Sequence, residues 1–111
     1  FRVGIVTGRA PVFCAGSDLK EIAAGRDVRV RRAGGFAGFT NHPRSKPWIA
    51  AVNGSAWGGG VEIALACDLV VMAHDAELCL PEVNRGLFPS GGGALRLPRL
   101  LPPVDLGAGV A

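Results

Sequence analysis

Two carboxylates and two glycine turns carry the chemistry this sequence offers. Glu62 stands alone in an otherwise apolar run, Val61–Cys67, and Glu82 sits in an apolar, proline-flanked turn after Pro81. Carboxylates are seldom buried without a partner or a task. Two that are buried close together are pushed toward different protonation states, giving one acid and one base. Just upstream of Glu62, Gly58, Gly59 and Gly60 lead from a strand-like stretch into a helix start. The first turn of a helix has N–H groups with no internal acceptor. Glycines clear side chains from that approach, so a ligand reaches the backbone. Glu62 follows Gly59 by three residues, one turn along on the same face. A second glycine turn, Cys14-Ala15-Gly16-Ser17-Asp18, also follows a strand-like run and opens a helix. If the two strands neighbour each other in one sheet, N–H groups from both turns converge on one oxygen. An enolate or a tetrahedral oxyanion requires that convergence.

Plainer roles suit the same residues. Glu62 fits a helix-start carboxylate favoured by the helix dipole, and Glu82 a first-turn residue after Pro81. The glycines do not make a nucleotide loop. Gly54 and Gly59 have P-loop spacing, but Gly60 stands where lysine belongs, and no G-x-G-x-x-G follows a strand here.

The elements that must position these groups follow from local pattern. Val3–Thr7 and Trp48–Val52 read as buried strands of a parallel sheet. Residues 8–17 read as a loop punctuated by Pro11 and Gly16. Ser17 or Asp18 caps a short helix, Leu19–Ala24, with Glu21 at capping-box distance from Asp18. Phe36, Phe39 and Thr40 predict a helical turn closed by Pro43. Val61–Cys67 predicts the central helix, and Asp68–Ala73 another buried strand, with Asp68 structural at its start. Glu77–Leu80 predicts a short strand, and residues 81–90 an irregular turn. Ala94–Leu101 predicts a helix with Arg96 and Arg99 outward and Leu95, Leu97, Leu100 and Leu101 in the core, stopped by Pro102 and Pro103. The alternation argues α/β architecture, without an internal repeat in the sequence.

Composition bounds the rest. One domain at most fits 111 residues; 49% hydrophobic and 19% charged content is globular. No apolar run approaches a bilayer span, and no signal-peptide pattern opens the chain. The net charge of +3 argues for no nucleic-acid partner. Arg26, Arg29, Arg31 and Arg32 cluster; a solvated face is the first reading of them and a phosphate-bearing ligand the sharper one. Cys14, Cys67 and Cys79 form no C-x-x-C pair, which points to free thiols in a reducing compartment, the cytoplasm. Cys67 and Cys79 lie in apolar runs and read as buried structural cysteines. His42 and His74 have no ligand spacing to any cysteine, so a zinc site is not expected. The strand-like start at Phe1 and the uncapped end VDLGAGVA read as a piece of a larger protein.

FCAGSDLK (13–20), AAVNGSAWGGGVEIALACDLV (50–70) and LPEVNRGLFPSGGGALRLPRLLP (80–102) resemble the enoyl-CoA hydratase/isomerase, or crotonase, family. The resemblance runs from about Val3 to Pro103. It implies an α/β fold of the ClpP/crotonase type, a β-β-α spiral, with residues 1–103 as a partial core and 104–111 as a non-matching tail. The family is more than twice this length, so N-terminal strands and the C-terminal helices that cover the site and build trimers or hexamers are expected to be missing.

The resemblance implies a coenzyme A thioester substrate and no separate cofactor, neither metal nor redox group. The oxyanion N–H groups fall on Ser17 and Gly59. Ala15, Ser17, Asp18, Leu19, Lys20, Gly58 and Gly59 fall on the acyl and coenzyme A site, with Lys20 toward phosphate. The two hydratase glutamates fall on Glu62 and Glu82. Glu62 is expected to take a proton from water, and protonated Glu82 to deliver one to C2; the pair titrates together, so these roles exchange or merge in some schemes. Retention of both favours hydration and dehydration over Δ3,Δ2-isomerisation or a non-catalytic acyl-CoA-binding module. A finer resemblance in 34–40 and 90–103 to one branch of the family alters the acyl group and not the chemistry. Residues 1–111 alone are expected to hydrate crotonyl-CoA weakly or not at all.

Overall fold

The computed structural model describes residues 1–26 and 33–101. Expectations for Arg29, Arg31, Arg32, the Pro102–Pro103 stop and the tail 104–111 lie outside the described residues.

Among the described residues, six short strands form two parallel sheets. β1 (Gly4–Thr7), β3 (Trp48–Val52) and β5 (Leu69–Met72) make the first, in the order β1-β3-β5. β2 (Val12–Cys14), β4 (Ser55–Trp57) and β6 (Leu78–Cys79) make the second, in the order β2-β4-β6. Each pass of the chain therefore lays one strand in each sheet before entering a helix: α1 (Leu19–Ala23), then α2 (Gly59–Leu65), then a 3₁₀ turn (Pro81–Arg85) and α3 (Gly93–Leu100). This is the β-β-α spiral. Its repeat is absent from the sequence because different residues build each pass.

β2 and β4 correct the reading of 8–17 as loop and of Asn53–Ser55 as a plain break. Each is three residues long, so neither shows alternation. Close packing holds them. A Cβ on Gly54 would fall 1.9 Å from the Pro11 carbonyl oxygen, and one on Gly60 2.2 Å from that of Cys14. Only glycine lets β2 lie this near β4 and the first turn of α2.

The core draws on both sheets and packs them against α2 and α3. It contains Phe13, Ala50, Val52, Ala56, Val61, Ala64, Leu65, Leu80 and Leu97. Full burial of Val52 or Val61 is worth roughly 1.5–3 kcal/mol each. Asp68 is structural as expected: its Oδ2 accepts from Trp48 N–H at 2.7 Å, and its own N–H donates to the Trp48 carbonyl at 2.9 Å. Asn53 Oδ1 accepts from Gly8 N–H at 3.0 Å, tying the ends of β1 and β3.

Several burial expectations fail, that of Val3–Thr7 among them: Ile5 is 61% and Val3 41% exposed. β5 is exposed along its whole length, because it is a sheet edge whose outer face nothing described covers. In α3, Leu97 is buried against α2, whereas Leu95, Leu100 and Leu101 are exposed. Arg96 does not point outward. Its guanidinium turns back to donate to the carbonyls of Gly91 and Thr40, each at 2.9 Å. Cys14, Cys67 and Cys79 form no disulfide with one another, and all three are partly exposed rather than buried.

Candidate active site

The two glycine turns meet through the second sheet. β2 pairs with β4 in parallel, Cys14 opposite Ala56, so both strands deliver their turns to the same sheet end. The runs readable as strands, β1 and β3, do neighbour each other, but in the other sheet; the strands that lead into the two turns are β2 and β4. Gly16, at φ 87°, sits against the start of α2: a Cβ there would lie 2.7 Å from the Trp57 carbonyl oxygen and 3.2 Å from Gly59 N. Gly58, at φ 54°, turns the chain from β4 into α2, after its N–H has paired with the Cys79 carbonyl at 2.8 Å. α2 has no side-chain cap, and the N–H groups of Ser17 and Gly59 donate to no acceptor among the described residues.

Glycine starts α2 despite its low helix propensity. The cause is tertiary. The Phe36 ring lies on the Gly59 Cα, 2.4 Å from where a Cβ would stand. Phe36 is held in turn by Thr40, which is buried and whose Oγ1 accepts from Phe36 N–H at 2.9 Å.

Both glutamates are buried, Glu62 at 4% exposure and Glu82 at 8%. They reach one cavity of about 100 Å³ together with Ser17, Gly59, Phe36 and Gly91. Glu62 comes from α2. Its Oε1 accepts from Gly93 N–H at 3.1 Å. Its Oε2 lies 2.3 Å from where a Cβ on Gly91 would stand, so a bare glycine makes room for the carboxylate. Glu82 comes from the 3₁₀ turn. Its Oε1 faces Gly58, 3.2 Å from a Cβ there, and its Oε2 is buried without a hydrogen-bond partner among the described residues. A buried carboxylate oxygen left unpaired costs about 1–3 kcal/mol or more, so the fold carries a cost that a bound group offering a donor would remove.

A second cavity, of about 420 Å³, adjoins the first. Val12, Ala15, Leu19, Trp57 and Leu87 give it an apolar wall, with Arg85 among its lining residues. Ser17, Gly58, Gly59 and Glu82 line it as well. The two spaces thus share Ser17, Gly59 and Glu82.

Of the site residues read from the sequence, Ala15, Ser17, Leu19, Gly58, Gly59, Glu62 and Glu82 come together on these walls. Asp18 and Lys20 do not. Asp18 Oδ1 accepts from the Lys20 and Glu21 N–H groups at 2.8 and 3.4 Å, which makes it the cap of α1. Lys20 is exposed and on neither wall. Phe36, Asn41, Phe88, Ser90 and Gly91 line the smaller cavity and escaped the sequence reading. Gly91 alone left a signal, the glycine run Gly91–Gly93 ahead of the helix expected at Ala94–Leu101, and a glycine run does not tell which side chain from another element fills its space.

The cysteines nearby are not poised as nucleophiles. Burial pushes the Cys79 thiol up, helped by the Glu82 and Glu77 carboxylates, and burial does the same to Cys67. Both stay protonated at neutral pH. Among the described residues no group of three or more His, Cys, Asp or Glu could hold a metal ion, and no helix is long and apolar enough to cross a membrane.

Comparison with known proteins gives the same picture. The carnitinyl-CoA dehydratase of Proteus mirabilis is 50% identical over 105 aligned residues, 92% of this chain and 40% of that protein. The crystal structure of an enoyl-CoA hydratase from Mycobacterium marinum superposes with a TM-score of 0.84 at 50% identity, covering 98% of this chain and 42% of the other. A carnitinyl-CoA hydratase from Mycobacterium avium gives a TM-score of 0.84 at 42% identity, covering 97% and 42%. The chain thus spans about two-fifths of the length of these relatives. The sequence profile of one family, described as enoyl-CoA hydratase/isomerase, matches residues 1–105, nearly every residue from which the spiral and both cavities are built, and it is to that family that the chain belongs.

Proposed function

We propose that this chain carries the reacting centre of a hydratase that adds water to, or removes it from, a 2-enoyl thioester of coenzyme A. The observation that carries this reading is the pair of buried carboxylates on one small cavity, with Glu82 Oε2 unpartnered among the described residues. One carboxylate with a donor already supplied and one oxygen without a partner suit a water held between the two. The Ser17 and Gly59 N–H groups, which have no acceptor among the described residues, would hold the thioester oxygen as negative charge develops on it. Donors of this kind are worth about 10²–10³ in rate each.

In the hydration direction Glu62 takes a proton from the water, and the oxygen forms its bond to C3. The C2–C3 π electrons move onto the thioester as an enolate held by the two N–H groups. Glu82, protonated, gives its proton to C2, and the thioester carbonyl is restored. Charge and atoms balance without a redox step. The larger cavity suits the acyl chain and the thioester arm, with Leu19, Trp57 and Leu87 supplying apolar contact. Relatives named for carnitinyl-CoA and for enoyl-CoA are equally similar, at 50% identity, so the acyl group is left at the level of a 2-enoyl thioester. By the same likeness the full-length polypeptide would assemble as a homotrimer or hexamer, which sedimentation velocity measures directly.

The test is turnover of crotonyl-CoA by the full-length polypeptide carrying this sequence, followed at the enoyl absorbance. Glu62→Gln and Glu82→Gln should each lower kcat by about 10²–10⁴, the range for losing a general acid or base. Isomerisation that survives either change, with no hydration in the parent, would make the protein an isomerase. Tight acyl-CoA binding with neither reaction would make it a binding module.

A further inference from the structure

Arg96 lies outside both cavities, yet its two hydrogen bonds join the segments that frame the smaller one. One goes to Gly91, the residue against which Glu62 Oε2 rests. The other goes to Thr40, whose hydroxyl holds Phe36 on Gly59. The approach is built for it. Gly92, at φ 105°, leaves bare backbone under the guanidinium: a Cβ there would fall 2.2 Å from Arg96 Nη1. Two residues on from Gly91, Gly93 N–H donates to Glu62 Oε1. The turn that Arg96 fastens is therefore the one that holds the Glu62 carboxylate.

We propose that Arg96 is a positioning residue for the reaction, a planar fork that locks the Gly91–Gly93 turn to the Phe36–Thr40 turn and so fixes Glu62 against the oxyanion N–H of Gly59. The proposal rests on the hydratase reading for its kinetic consequence and on the fold alone for its geometric one. Guanidinium suits the task because its donors are set in a rigid plane and reach two carbonyls at once. Lysine offers a single flexible ammonium and replaces it in part.

The test uses the full-length polypeptide with Arg96→Met, Arg96→Lys and Gly92→Ala, and two readouts. The first is the split between kcat and KM for crotonyl-CoA. Arg96→Met should lower kcat about 30-fold or more while KM stays within about threefold, since only transition-state geometry is lost. Arg96→Lys should recover part of kcat. The second readout is the titration of the Glu62 carboxyl by ¹³C NMR, assigned by its disappearance in Glu62→Gln, and it needs no turnover. The other titratable group on this cavity among the described residues is Glu82. Loss of the Gly93 donor should move the Glu62 titration upward in Arg96→Met and in Gly92→Ala. Gly92→Ala keeps the cation, so an upward shift there reports geometry rather than charge.

If the parent turns nothing over but the Glu62 titration moves, the hydratase reading falls and the positioning role stands. If the parent is active and Arg96→Met lowers melting temperature with kcat and the titration unchanged, the positioning role falls. Should Arg96→Met not fold, Arg96→Lys and Arg96→Gln carry the same two outcomes.

Discussion

At the scale of single residues, the site depends on side chains that are missing. Gly91 gives the sharpest case. Its φ is not in the left-handed region, so alanine suits its backbone. The added methyl, however, would stand 2.3 Å from Glu62 Oε2 and 2.8 Å from Cδ. Glu62 must swing away, and Gly93 N–H loses its acceptor. Gly91→Ala should therefore cost about 10²-fold in kcat, the scale of a misplacement of about 1 Å, with a small change in urea midpoint. Turnover within twofold of the parent would show that Glu62 tolerates displacement. Both glutamates and the first glycine run were legible in the sequence because a charge in an apolar run and a triple glycine stand out locally. Gly91 as a partner of Glu62 was not. The two are far apart in the chain, and which side chain fills a glycine's space is a tertiary fact.

At the scale of elements, strand ends set where the turns emerge, and those ends are pinned by single polar side chains. Asn53 Oδ1 takes Gly8 N–H as β1 leaves the sheet, and Thr7 Oγ1 reaches both Asn53 and the Ala51 carbonyl. Asn53→Ala leaves a part-buried N–H without its acceptor and should lower stability of the full-length polypeptide by about 1–2 kcal/mol. Asn53 lines neither cavity, so kcat per folded molecule should hold. A fall in kcat without a fall in stability would move Asn53 into the site. The long elements, β3, α2 and α3, were readable within two residues at either end because apolar runs of five to eight residues leave a pattern. β2 and β4 were not, since strands of three residues have no period to detect. The convergence of the glycine turns was anticipated, yet it rests on this unread pair. Arg96 was misread outward for a related reason: helical spacing marks a face but not the length of an arginine that folds back over a glycine.

At the scale of the molecule, the first sheet presents an apolar face with nothing described upon it. In the register of the sheet Ile5, Ile49 and Leu69 are partners, as are Thr7, Ala51 and Val71, and partners in parallel strands point to the same side. Ile5, Leu69 and Val71 are each about 60% exposed there. Exposed contiguous apolar surface of this kind drives association, and both sheet edges, β1 and β5, offer unpaired backbone to a neighbour. Residues 1–111 made alone should therefore bind an apolar dye and sediment as oligomers or aggregates, with crotonyl-CoA turnover weak or absent. Placing lysine at Leu69 and Val71 together should shift this segment toward monomer. In a full-length polypeptide that buries this face, the same pair should do the opposite and cost several kcal/mol, because charges would enter apolar surroundings. If the full-length polypeptide accepts both lysines with a stability change under about 0.5 kcal/mol, the range of ordinary surface substitutions, the face is solvated in the whole protein. The spiral would then have to hold its strands by α2 packing alone.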